Sequence, residues 1–70
     1  MKRKFNGDKL TLLRESVGLS QVDLAKKLNV RSSAQVSRWE SGDQQPKPRK
    51  LKSIATFFSV KIPDLLMDSK

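Results

Sequence analysis

The sequence predicts a compact all-α domain of five short helices, and three observations carry that expectation. Apolar residues recur in short blocks at spacings of three, four and seven, the signature of helices with one buried face. Each block is bounded by residues that start or stop helices: Asn6, Ser20, Ser32 or Ser33 and Pro48 at the beginnings, Gly18, Asn29 and Gly42 at the ends. A chain of 70 residues also has room for one domain and not two, so residues 1–70 are read as a single unit with a thin core.

The chain opens with the basic run Lys2, Arg3 and Lys4. Residues 1–4 are read as an arm, by default a flexible solubilising terminus and otherwise a segment that lies along a phosphate backbone. Helix 1 should begin at the N-cap Asn6, with Phe5 and Leu10 as a hydrophobic staple across its entry. Leu10, Leu13 and Val17 then share the inward face, Gly18 stops the helix, and Leu12 points outward. Helix 2 opens at Ser20, with Asp23 three residues on in a capping-box relation, and buries Leu24, Ala25 and Leu28. Asn29 follows as a turn residue that tolerates the left-handed conformation. Val30 anchors the turn.

Helix 3 should run from a serine cap to about Ser41 before Gly42. At about 100° per residue Val36 and Trp39 face inward, with Glu40 near the edge. Ala34, Ser37, Arg38 and Ser41 then face outward, with Ser33 and Gln35 on the flanks. Residues 43–47 form a polar loop. Pro48 suits the first position of helix 4, where its missing amide costs nothing, and Leu51, Ile54, Ala55 and Phe58 make a strong inward stripe. A break at residues 61–63 leads to a short fifth helix over residues 64–67, where Leu65 and Leu66 close the core. Residues 68–70 are a tail.

Fifteen Lys and Arg stand against seven Asp and Glu, a net charge of +8. Such an excess favours polyanions, because each phosphate neutralised by Lys or Arg releases condensed counterions. An anionic membrane is the competing partner. No apolar run approaches the ~20 residues of a membrane-spanning helix, and Met1 to Lys4 are not followed by a signal-peptide core, so the reading is a cytoplasmic protein with no membrane partner. Cys and His are both absent, which removes disulfides, the usual zinc ligands and the commonest general base. No constellation of Ser, Lys and carboxylates suggests catalysis, and neither a metal, a cofactor nor a small-molecule ligand is expected.

The distinctive stretch is Gly18 to Glu40: two short helices joined by a tight turn, the second with a narrow polar face. An α-helix fits the major groove of duplex DNA, where each base pair shows its own pattern of donors and acceptors. A reading face must be slender, and Ser33, Ala34, Ser37 and Arg38 meet that requirement. Arg38 is the sharpest candidate, since a guanidinium can bond O6 and N7 of guanine together. By itself such a face is more often merely solvated; its place on the second helix of a helix-turn-helix in a basic chain reverses the balance. Arg31, Lys47, Arg49 and Lys50 flank the face as phosphate contacts, with Lys26 and Lys27 as weaker candidates. Trp39, three residues from Val36, is read as core rather than as a base-stacking platform.

Leu19-Ser20-Gln21, Leu24-Ala25, Leu28, Val30, Val36-Ser37-Arg38-Trp39-Glu40 and Gly42, then Pro46, Leu51, Ile54-Ala55, Phe58, Val60 and Leu65, resemble the lambda-repressor-like (Cro/Xre-type) helix-turn-helix family. The likeness covers roughly residues 5–67. It implies a five-helix DNA-binding domain whose third helix enters the major groove, with Ser33, Ala34, Ser37 and Arg38 at base edges. Phosphate contacts then fall to Gln21, Arg31, Ser32, Ser41, Lys47, Arg49 and Lys50, where Gln21 can also buttress helix 3. The resemblance further implies an ion pair between Arg14 and Glu40.

Two departures stand out. Five residues separate Val30 from Val36, one more than the family usually has, which leaves the roles of Arg31, Ser32 and Ser33 open between base, phosphate and cap. Asn29 occupies a position where glycine is usual. The function expected is sequence-specific binding of double-stranded DNA by a transcriptional regulator, a repressor by resemblance, for which a homodimer would match a two-fold operator. The rival reading is an antitoxin-like or other protein-interaction module that uses the off-face apolar residues Leu12, Val22 and Phe57.

Overall fold

The computed structural model describes residues 3–68. Four α-helices follow one another: α1 Gly7–Ser16, α2 Gln21–Lys27, α3 Ser33–Ser41 and α4 Pro48–Phe58. They are enclosed at the chain ends by two short strands, β1 Arg3–Phe5 and β2 Leu66–Asp68. A 3-10 turn, Ile62–Leu65, leads into β2.

The helix starts follow local chemistry. The Asn6 side chain accepts the Lys9 amide at 3.1 Å. Ser20 and Asp23 make both bonds of a capping box, Ser20 Oγ accepting the Asp23 amide at 3.0 Å and Asp23 accepting the Ser20 amide at 3.1 Å. Those bonds, with Ser20 foremost, hold the Asp23 carboxyl below its usual range. Ser32, rather than Ser33, caps α3, its hydroxyl accepting the Ala34 amide at 3.0 Å. Pro48 opens α4. The stops are equally local: Asn29 takes φ +58° after α2, and Gly42 takes φ +88° after α3.

Leu10, Leu24, Ile54, Leu65 and Val36 are fully buried, and Phe5, Ala25, Leu28, Trp39 and Ala55 complete the core. Leu13, Val30, Leu51 and Phe58 pack against it while partly exposed. Val17 departs from expectation. It is 57% exposed because α1 ends at Ser16, and as the C-cap, with ψ near 8°, Val17 leaves the helical stripe.

The expected fifth helix is absent. Pro63 lies in a single 3-10 turn, too short to sustain an α-helix, and the chain then extends as β2. Strand β2 pairs antiparallel with β1 in the register Arg3 with Asp68, Lys4 with Met67 and Phe5 with Leu66. Arg3 and Lys4, expected in a free arm, are therefore strand residues, as is Asp68 of the expected tail; the rest of both segments lies outside the described residues. A two-stranded sheet is marginal alone. This one is anchored by buried Phe5 and Leu65, by the Asn6 amide on the Leu65 carbonyl at 2.7 Å, and by the Phe5 amide on Gln45 Oε1 at 3.0 Å.

Gly7 brings α1 onto α3. A Cβ there would press into the Glu40 carbonyl oxygen and lie 2.5 Å from the Trp39 carbonyl oxygen, both rigid backbone. Helix propensity favours Ala over Gly by about 1 kcal/mol, whereas overpacking costs about 1–3 kcal/mol. Gly7→Ala should therefore destabilise. Thermal unfolding should show a melting temperature lower by up to roughly 15 °C, from a net loss of up to about 2 kcal/mol at about 4–8 °C per kcal/mol in a domain this small; an increase would refute the close approach.

Candidate nucleic-acid interface

Helix α3 carries the candidate surface, and its inner side is held by a polar knot centred on Glu40. Arg14 of α1 donates through Nε to Glu40 Oε2 at 2.6 Å and through a terminal nitrogen to Oε1 at 3.2 Å. The other terminal nitrogen of Arg14 reaches the Leu19 carbonyl at 2.9 Å. Gln21 Nε2, in the first turn of α2, donates to Glu40 Oε1 at 3.0 Å. One carboxylate thus joins α1, α2 and α3.

The side chains of Arg14 and Glu40 retain 13% and 7% of their exposure, so water screens this pair far less than one on the surface. Burial alone would push the Glu40 carboxyl up, and that is the largest single influence. The bonds from Arg14 and Gln21, with the Arg14 charge, outweigh it together, and the carboxyl lies below its ordinary 4.5. The same hydrogen bond raises the Arg14 guanidinium against the opposing effect of burial.

The outer side of α3 presents Ala34, Ser37, Arg38 and Ser41, all exposed, with Ser33 half-buried at the edge. The backbone beneath Arg38 is pinned. Its carbonyl accepts the Gly42 amide at 3.1 Å, the Gln44 amide at 3.2 Å and Ser41 Oγ at 3.2 Å. Ser41 Oγ also accepts the Asp43 amide at 3.4 Å, so this hydroxyl is engaged in closing the helix. Gln35 Nε2 donates to Gln44 Oε1 at 2.9 Å and ties the flank of α3 to the following loop.

Residues around this face divide by what already engages them. Arg31 and Lys47 are exposed and line the same open groove as Ala34 and Arg38. Arg49 is exposed but lines a different groove, beside Lys27, Lys52 and Phe57. Ser32 uses its oxygen as a cap and keeps its hydroxyl hydrogen. Gln21 keeps a second amide hydrogen beyond the one on Glu40. Lys50 differs from the free cations: its Nζ donates to the carbonyls of Leu28 at 2.8 Å and Asn29 at 3.3 Å. Sequence reasoning missed this bond, and missed Gly7 and Gln44, because each depends on which distant segment lies alongside. Leu12, Val22 and Phe57 are exposed, on α1, α2 and α4 respectively.

Two short helices meeting across a tight turn, the second offering a slender polar face on a fixed backbone, define a helix-turn-helix DNA-binding domain. The helix-turn-helix family model matches residues 10–65, most of the chain. The chain belongs to that family, in its Cro/Xre-type branch of transcriptional regulators. It is 46% identical over 63 residues to the HTH-type transcriptional activator BcrR of Enterococcus faecalis, a match covering 90% of this chain and 30% of that protein. It therefore spans under a third of that relative's length.

Among solved structures, a transcriptional regulator from Listeria innocua superposes with a TM-score of 0.83 at 28% identity, over 100% of this chain and 64% of that one. The N-terminal DNA-binding domain of SinR from Bacillus subtilis gives 0.75 at 26% identity, over 91% of each chain. The DNA-binding domain of BldD from S. venezulae gives 0.71 at 31% identity, over 87% of this chain and 90% of that one. No helix among the described residues is long and apolar enough to cross a membrane.

Removing one partner of a buried pair leaves an uncompensated charge, so Arg14→Met should cost on the order of 3 kcal/mol in chemical denaturation. Because the folded Glu40 carboxyl gives up its proton more readily than the unfolded one, its contribution is complete above about pH 4.5 and is lost as pH falls through the lower folded value. Unfolding titrations should accordingly show the stability gap between wild type and Glu40→Gln narrowing as pH falls below about 4.5. A gap independent of pH would contradict the role assigned to the carboxylate.

Proposed function

We propose that the domain binds a specific sequence of double-stranded DNA by inserting α3 into the major groove and thereby regulates transcription. The carrying observation is the exposed face of Ala34, Ser37 and Arg38 on a helix whose inner side is locked by the Glu40 knot. Arg38 is the principal reader, forking onto guanine O6 and N7. Ala34 meets a thymine methyl, while Ser33 and Ser37 bond base edges. Gln21, Arg31, Ser32, Lys47 and Arg49 hold phosphates and set the register without reading sequence.

Ser41 supports the Arg38 backbone, and any phosphate contact by its hydroxyl would have to displace a bond it already makes. Residues 1–70 act as one cytoplasmic DNA-binding unit, and two copies occupy half-sites about 34 Å apart on a two-fold operator. Bound across a promoter, such a unit represses by occupying it. The curated relative is an activator, and its match to this chain covers only 30% of its length.

The test is to select bound sequences from a random duplex pool and compare wild type with variants. Arg38→Ala should relax the preference at one guanine, a loss of about 1–3 kcal/mol of discrimination. Lys47→Ala should weaken all sequences alike and lower the slope of log affinity against log salt by about 0.9. Recovery of no motif from wild type would overturn the sequence-specific reading; a motif indifferent to Arg38→Ala would overturn the assignment of the reader.

A further inference from the structure

Of the cations assigned above to phosphate contact by resemblance, Lys50 is the one whose charged atom is already bonded to backbone. It stands in the first turn of α4, yet its ammonium lies on the Leu28 and Asn29 carbonyls at the far end of α2. The last carbonyls of a helix have no intrahelical partner and carry its negative dipole end, so a cation there is doubly favoured. Asn29 is also the residue that turns the chain with φ +58°, at the start of the connection to α3.

Lys50 thus spans two parts of the interface. On one side is the turn that aims the recognition helix; on the other is the start of α4, where Lys47 stands at the N-cap and Arg49 in the first turn. A phosphate contact would require the ammonium to abandon one or both carbonyls. We propose that Lys50 is a positioning residue, bracing the turn against α4 so that Arg38 and the phosphate-contacting end of α4 engage one duplex in a fixed relation. The turn between α2 and α3 sets their relative direction, and the brace holds the first residues of that turn against α4. This rests on the DNA-binding reading above and adds to it a determinant of specificity that touches no DNA.

The experiment compares Lys50→Met, Lys50→Arg and Lys47→Met on the selected duplex and on a random duplex, across a salt series well below each melting temperature. Met keeps most of the aliphatic stem and loses the donor. For Lys50→Met the ratio of specific to non-specific affinity should fall roughly five- to tenfold, a part of what one bidentate base contact contributes. Its salt slope should stay that of wild type, whereas Lys47→Met should lower its own by about 0.9. Lys50→Arg, which can still donate to both carbonyls, should recover most of the ratio.

A Lys50→Met slope lowered by about 0.9 with the ratio intact would show a direct phosphate contact and overturn the proposal. A lower melting temperature with both ratio and slope intact would reduce Lys50 to a structural role and overturn it equally. Lysine side-chain NMR of the wild type adds a measurement free of mutation. The Lys50 ammonium signal should stay unchanged when a random duplex is added, while that of Lys47 shifts. That arm decides the brace even if no motif is selected, which keeps its failure distinct from failure of the sequence-specific reading.

Discussion

The Glu40 carboxylate is the constraint on which the interface depends. Helices of seven to ten residues, as α1, α2 and α3 are, have little stability in isolation, so their mutual arrangement must come from tertiary contacts. Apolar packing of Leu10, Leu24, Val36 and Trp39 supplies cohesion without much direction. The bonds from Arg14 and Gln21 to Glu40 supply the direction, since a guanidinium and an amide meet a carboxylate only in a narrow range of orientations. Gly7 reinforces the same point from the backbone, letting α1 press on the Trp39 and Glu40 carbonyls. Side chain and main chain of one residue are therefore both gripped, and Arg38, two positions earlier on the opposite face, is presented from a fixed base.

The positive residues behind the net charge of +8 are not all engaged in the same way. Arg14 is buried in the ion pair, Lys50 is bonded to the end of α2, and Arg3 lies 3.6 Å from Asp68 across the terminal sheet. Arg31 and Lys47 are exposed in the groove that Ala34 and Arg38 line, Arg49 is exposed in a separate groove beside Lys27 and Lys52, and Arg38 stands on the outer face of α3. A division of this kind lets one basic chain combine long-range attraction to DNA with short-range geometry. Attraction comes from all the charges, geometry from the few that are held.

Much of the helical frame was legible in the sequence because its determinants are local. The Ser20 to Asp23 capping box, the left-handed Asn29 and Gly42, Pro48 at the start of α4 and the inward spacing of Val36 and Trp39 each involve residues within one or two turns. The same spacing put Ala34, Ser37, Arg38 and Ser41 on the outer face. The end of the chain was misread for the complementary reason: Leu65 and Leu66 fit a helical stripe, and nothing nearby announces that Leu66 to Asp68 will pair with Arg3 to Phe5 more than sixty residues away. Val17 fits the α1 stripe in spacing too, but the helix stops one residue before it.

By itself, then, the sequence determined where helices begin and end, which faces are apolar and that a polar face with an arginine lies on the second helix of the motif. Those properties follow from backbone sterics, capping and periodicity, which act over a few residues. Tertiary structure alone decided that the termini form a sheet, that Gly7 must lack a side chain, and that Lys50 belongs to α2 rather than to open solvent. It also showed Arg14, Leu19, Gln21 and Glu40 meeting at one point, which the family resemblance could only partly imply. Each of these depends on the direction in which distant segments cross, and that direction is set only when the whole core packs at once.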